Sequence, residues 1–188
     1  MNVKKFPAHA LVAASLMALA PAPPVFAAEW TVDQEESRLG FTATQNGSEV
    51  NGTFENWTAE IDFDPAAPGN AKIRTVIDLS SAITGEPQVD GQITGEAWFH
   101  TAEHPQATFE ATTARQREDG VYEAEGSLTI KGVPVPLTLP FTLEIEGDTA
   151  KAKGEIEILR DKWSVGEGIP GSTVGTAVTV SFEVTAQK

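Results

Sequence analysis

Two histidines follow residue 27, His100 and His104, with Glu96 and Glu103 close by in sequence. On a helix, H-x-x-x-H puts both rings on one face, and a zinc site needs three or four such ligands. Pro105 comes next, however, and the residue before a proline is disfavoured in the helical region. The pair is therefore read as surface polar residues, and no metal is assigned. Arg160 is the one charged side chain singled out. It follows the Ile156–Ile158 run and precedes Trp163. A guanidinium with a buried stem, near the mouth of a cavity, pairs either a ligand head group or a carboxylate such as Asp161. Nothing else forms a catalytic constellation. There is no G-x-S-x-G, only the two histidines could serve as a base, and none of the 27 acids stands out as half of a pair. With no cysteine, thiol catalysis, iron–sulfur clusters and Cys-ligated zinc are excluded. The reading is of a non-enzyme.

Lys4 and Lys5 precede an apolar run from Ala10 to Ala20, and Val25-Phe26-Ala27 has the small-x-small form of a cleavage site. The run is shorter than the ~20 apolar residues a membrane span requires. Residues 1–27 are thus expected to be a cleaved, bacterial-type signal peptide that sends residues 28–188 to a periplasm as one domain. Losing Lys4 and Lys5 leaves 11 basic against 27 acidic residues. Nucleic acid and anionic lipid surfaces are poor partners for that field.

Period-two alternation runs through most of the chain, the mark of strands with one buried face. It is clear in Leu39–Ala43, Ile73–Leu79, Ala107–Ala111, Tyr122–Ile130, Ala150–Ile158 and Val178–Val184. It stops between Ser80 and Ala102, which reads as a helical crossover. Ser80 or Ser81 would cap one short helix and Asp90 a second. About eight strands at short spacing mean a sandwich or a closed barrel, and the long regular ending favours closure. Small residues recur at inward positions: Ala107 and Ala111, Ala124 and Gly126, then Ala150, Ala152 and Gly154. Periodicity leaves two outcomes open: these rows leave an apolar cavity, or large neighbours fill the taper.

The most ordered stretch is Tyr122 to Leu143, two alternating runs around Lys131-Gly132. Its Gly-x-Leu-Thr-Ile-Lys-Gly-Val core, with Pro136, Thr138 and Leu139, resembles the signature hairpin of the YceI-like family. Asp33, Ser37–Phe41, Val50-x-Gly-x-Phe54, Trp98-Phe99, Pro105, Ala107-Thr108-Phe109, Arg160, Trp163 and Gly166 extend the resemblance over residues 30–185. Glu36, Val89, Gln92 and Lys162 depart from the family pattern.

The resemblance implies an all-β fold: an extended, eight-stranded antiparallel barrel, lipocalin-like, with a short helical crossover around residues 80–102. It implies an exported protein that holds a long isoprenoid or quinone-like lipid as ligand, with no other cofactor. The Trp-Phe form of the crossover resembles a branch found beside membrane cytochromes of the b type. The expected tail site is Phe41, Phe54, Ile77, Phe109, Tyr122, Leu128, Leu139, Phe141 and Ile156. Trp98 and Phe99 would act as a lid, with Arg160 and Trp163 at the mouth. Either a monomer or a homodimer fits. The rival reading is a filled barrel whose acidic surface docks a partner such as a cytochrome.

Overall fold

The computed structural model describes residues 29–188; the expected signal peptide lies outside them. Ten strands form one antiparallel sheet: β1 (Glu29–Gln45), β2 (Ser48–Phe54), β3 (Trp57–Asp62), β4 (Lys72–Asp78), β5 (Ala82–Ile83), β6 (Gln106–Gln116), β7 (Tyr122–Ile130), β8 (Val133–Glu146), β9 (Thr149–Leu159) and β10 (Val174–Gln187). β10 also pairs with β1 and β1 with β3, which closes a ring of eight strands; β2 and β5 form a flange on β1. The expected eight-stranded barrel with a helical crossover is the fold found.

The closure is uneven, and the sequence explains why. β7 and β8 join at Lys131-Gly132, both with positive φ (50° and 73°), the geometry of a two-residue type I′ turn. The pair that closes such a turn, Ile130–Val133, exchanges both hydrogen bonds, so odd residues of β8 bond to β7 and even ones face the other edge. On that other edge β8 should meet β9. Three of its even residues there are Pro134, Pro136 and Pro140, which have no N–H to give. The β8–β9 ladder accordingly runs only from Glu146–Thr149 to Thr142–Lys153. Beyond it the two strands part.

A matching seam opens between β1 and β3. They pair at Glu29–Asp62 and Trp30–Ile61, and β1 does not pair on that edge again until Gly40 meets Thr53 of β2. Within this interval β1 also bulges against β10, because register shifts between Asp33–Thr185 and Arg38–Glu183. The Asp33 carboxylate accepts from the N–H groups of Glu35 and Glu36 and fixes the bulge. The barrel is therefore two sheets joined tightly at one end and splayed at the other.

The splayed end receives the excursions of the chain. One is the crossover, residues 79–105, with a 3-10 turn at Leu79–Ser81 and α1 (Pro87–Ile93). The cap of the 3-10 turn is Asp78, whose side chain accepts from Ser80 N–H, rather than Ser80 or Ser81. Asp90 caps no helix. It lies inside α1 and accepts from Thr84 N–H and Thr84 Oγ at 2.7 and 2.6 Å, tying down the entry loop. The second excursion, residues 160–173, links β9 to β10.

Candidate functional site

The two sheets enclose a cavity of about 160 Å³. Its walls are aliphatic and aromatic; Thr75 supplies the one side-chain hydroxyl among the lining residues. An apolar cavity of roughly 150 Å³ stays dry and admits a molecule the size of benzene. The resting space is therefore of the size of one five-carbon isoprene unit, not of a long chain. Both seams lead into it. Leu39, Trp57 and Ala59 line it beside the β1–β3 seam, and Leu137, Leu139, Ile156 and Ile158 beside the β8–β9 seam. Where pairing lapses, the sheets can part without breaking ladder bonds.

Six of the residues expected to hold a tail line this cavity: Ile77, Phe109, Leu128, Leu139, Phe141 and Ile156. The others lie elsewhere. Tyr122 is part of the floor at the closed end, where its ring stacks on Phe141 (5.4 Å, 22°) and meets the edge of Phe63 (5.3 Å). Phe41 lies in a satellite core with Ala82 and Ile93, and Phe54 and Phe99 pack against both that core and the main one. Trp163 is fully buried and donates from Nε1 to Leu128 O at 3.1 Å, a plug over the end of β7. Trp98 packs on the main core, with the Arg160 guanidinium 5.8 Å from its ring centre.

Arg160 is placed near the splayed end, as the sequence implied, but its partners differ from those expected. Among the described residues no acid pairs it. Nε donates to Gly175 O, Nη1 to Val165 O and Gly166 O, and Nη2 to Ile169 O and Val174 O, at 2.7–3.0 Å. All five N–H groups are used, so the guanidinium is a knot gathering the 164–175 chain and has no donor left for a head group. Gly166 has φ 70°, and a Cβ there would press on Arg160 Nη1 and the Trp98 ring. At the β7–β8 turn, Lys131 Nζ donates to Glu96 O (3.3 Å) and Ser164 O (3.1 Å), joining the hairpin to both excursions.

The small residues divide by role. Ala124, Ala150 and Ala152 line the cavity and make its room. Gly126 and Gly154 instead admit neighbouring backbone: a Cβ would collide with Glu110 O at the first and Pro140 O at the second. Ala107 and Ala111 are packed in the core. Sequence reasoning left out Trp30 and Trp57, which wall the cavity between them with Leu39 and Phe63. The signal was present for Trp57, since the inward phase of Ile61 counts back through Ala59 to it.

Comparisons with known proteins agree with this architecture. A family model described as YceI-like domain matches residues 30–186. A UPF0312 protein of Yersinia pestis (strain Pestoides F) is 32% identical over 125 residues, 65% of each chain. One of Pseudomonas savastanoi pv. phaseolicola is 29% identical over 133 residues, 69% of each. The match to the Yersinia relative thus spans about two thirds of that protein's length. Among solved structures, BcnA of Burkholderia cenocepacia superposes with a TM-score of 0.80 at 30% identity, covering 83% of this chain and 99% of its own. A polyisoprenoid binding domain from Saccharophagus degradans, implicated in plant cell wall breakdown, gives 0.65 at 19% identity, covering 84% and 97%, a likeness of fold.

Proposed function

Because this chain belongs to the YceI-like domain family, and because its two sheets flank an apolar cavity that both seams enter, we propose that it is a non-catalytic lipid-binding protein. Its ligand is an isoprenoid or quinone-like chain, which it carries or stores after export to the periplasm through a cleaved leader ending at Ala27. The observation that carries this reading is the continuity of the cavity with the two unpaired seams. The polyisoprenoid binding of the Saccharophagus domain supports it.

Magnitudes set how much chain must go inside. Burial gains about 0.8 kcal/mol per CH₂ group, so roughly 4 kcal/mol per isoprene unit. A micromolar complex needs about 8 kcal/mol after ordering costs, hence at least two units buried. The resting cavity takes one. The sheets therefore part along the seams as the tail enters, and the splayed end is its route. No head-group contact is required for affinity, which agrees with the commitment of Arg160 to backbone carbonyls.

The test is organic extraction and mass spectrometry of the protein purified from its native host, with N-terminal sequencing. The expected result is one isoprenoid-class lipid per chain and a mature terminus at Ala28. A large ring at Ala152 fills the cavity: Ala152→Phe should remove the lipid while costing about 1–3 kcal/mol of stability. A lipid-free protein that also fails to take up polyprenols overturns the lipid reading. A retained leader overturns export alone.

A further inference from the structure

The crossover ends in His100-Thr101-Ala102-Glu103-His104, just before β6. Sequence reasoning set the two histidines aside because Pro105 disfavours a helical conformation at His104. The structure shows no helix there, yet one bonded turn does the same work. The N–H groups of Glu103 and His104 both donate to His100 O, at 3.0 and 2.9 Å, so the chain closes one turn between the two histidines. His100 enters it with φ 52°, and its own N–H donates to Gly95 O at 2.9 Å. His104 lies against the β7–β8 turn, where a Cβ on Gly132 would stand 3.7 Å from its Cε1. The two rings lie 5.9 Å apart and edge to face.

Ligand atoms of His100, Glu103 and His104 all lie within 4.8 Å of one another, with His100 Nδ1 and Glu103 Oε2 at 3.9 Å. Among the described residues no other three such groups converge. In a tetrahedral zinc site with bonds of about 2.0–2.1 Å, neighbouring ligand atoms stand roughly 3.4 Å apart. The gap is at most about 1.4 Å of side-chain rotation, and the Glu103 side chain, 70% exposed, is free to supply its share. We propose that His100, Glu103 and His104 bind a divalent transition-metal ion of the zinc class, leaving a fourth position to water. Two imidazoles and one carboxylate are a donor set that zinc takes in three-ligand sites, and cobalt, nickel and copper accept the same donors. The bound ion fixes the turn that follows Phe99 and leads into β6, and so stiffens the crossover where it rests on the β7–β8 turn.

The experiment is calorimetric titration of the untagged, chelator-stripped protein with ZnCl₂, beside a thermal melt with and without zinc. The expected result is one ion per chain and a melting midpoint that rises with zinc. His100→Ala and His104→Ala should each weaken binding about tenfold or more, and the double variant should abolish both signals. Cobalt(II) added to the wild type should give tetrahedral visible bands that the double variant lacks. Should His100→Ala disturb the left-handed turn, seen as altered tryptophan fluorescence, His104→Gln reads the site alone. Absence of binding up to millimolar zinc, or unchanged binding by the double variant, overturns the proposal.

Discussion

At the end where Glu29 begins β1, the barrel is shut by ladder pairs and stacked rings. Glu29–Asp62 and Trp30–Ile61 close one corner, Glu146–Thr149 to Thr142–Lys153 the other, and Tyr122, Phe141 and Phe63 pack as a floor. At the end where β7 turns into β8, neither corner is laddered. That end is shut by two chain excursions, knotted by Arg160 and Lys131 onto carbonyls and plugged by Trp163. The difference teaches which end opens. Releasing the floor means breaking ladder bonds and core packing together. Releasing the plug means moving loops tied by polar bonds that water can replace and drawing Trp163 out of the core, with no ladder to break.

The largest effect expected from breaking this contrast is at the floor. Phe141 is buried and its ring meets both Tyr122 and Phe63. Phe141→Ala should cost about 3–5 kcal/mol in urea unfolding, with a single cooperative transition. A loss under about 1 kcal/mol would mean that the floor is not what holds the sheets together. Arg160→Ala comes next. It leaves five carbonyls without their donor, and should cost about 2–4 kcal/mol, since desolvating the guanidinium already offset part of its gain. Its distinctive sign is local. Amide exchange should rise across residues 164–175 before the floor loosens. Arg160→Lys, with a point charge in place of a planar fork, should recover only part of the loss. Uniform exchange across both ends would refute the division of labour.

How far the sequence foretold this follows from what kind of contact each residue makes. Alternation exposes strands because burial repeats every second residue, so the Tyr122–Leu143 hairpin and the wall at Leu128, Leu139 and Ile156 were legible. Alternation gives the face but not the height. Tyr122, Phe41 and Phe54 share the inward phase, yet one sits in the floor, one in a satellite core and one between that core and the main one, because height is set by strand tilt and by the bulge at residues 33–38. Arg160 was found and its partners were not: they are backbone carbonyls, which every residue carries and no side-chain pattern marks. The seams were legible in principle. Prolines at 134, 136 and 140 share one parity, and parity fixes which neighbouring strand loses its donors.

That parity gives a smaller and sharper prediction. Pro140 follows directly on the last ladder pair, Thr142–Lys153, at the position whose N–H would point to β9. Pro140→Thr returns the donor and should lengthen the ladder by one step. The net change in stability should be within about 1 kcal/mol, because a new hydrogen bond is set against greater freedom of the unfolded chain. Lipid exchange, followed by transfer of a fluorescent polyprenol, should slow while final affinity stays the same. Faster exchange would mean that the β8–β9 seam is not on the path of the tail.

The smallest effect concerns the crossover and acid. The Thr84 hydroxyl, then the Thr84 N–H, donate to Asp90 and hold its carboxyl below the usual carboxylate range. A carboxylate whose pKa is lower folded than unfolded contributes stability that is present above the unfolded value, near 3.8, and lost as pH falls through the folded one. Between neutrality and about pH 5 this tie should therefore add no pH dependence; below about pH 4 it should weaken and free the entry to α1. Asp90→Asn, which keeps an acceptor oxygen but cannot titrate, should flatten that part of the profile when amide exchange at Thr84 is followed from pH 5 to pH 2. If the wild type and Asp90→Asn lose protection together as the pH falls, the acid release comes from another carboxylate and not from the Thr84–Asp90 tie.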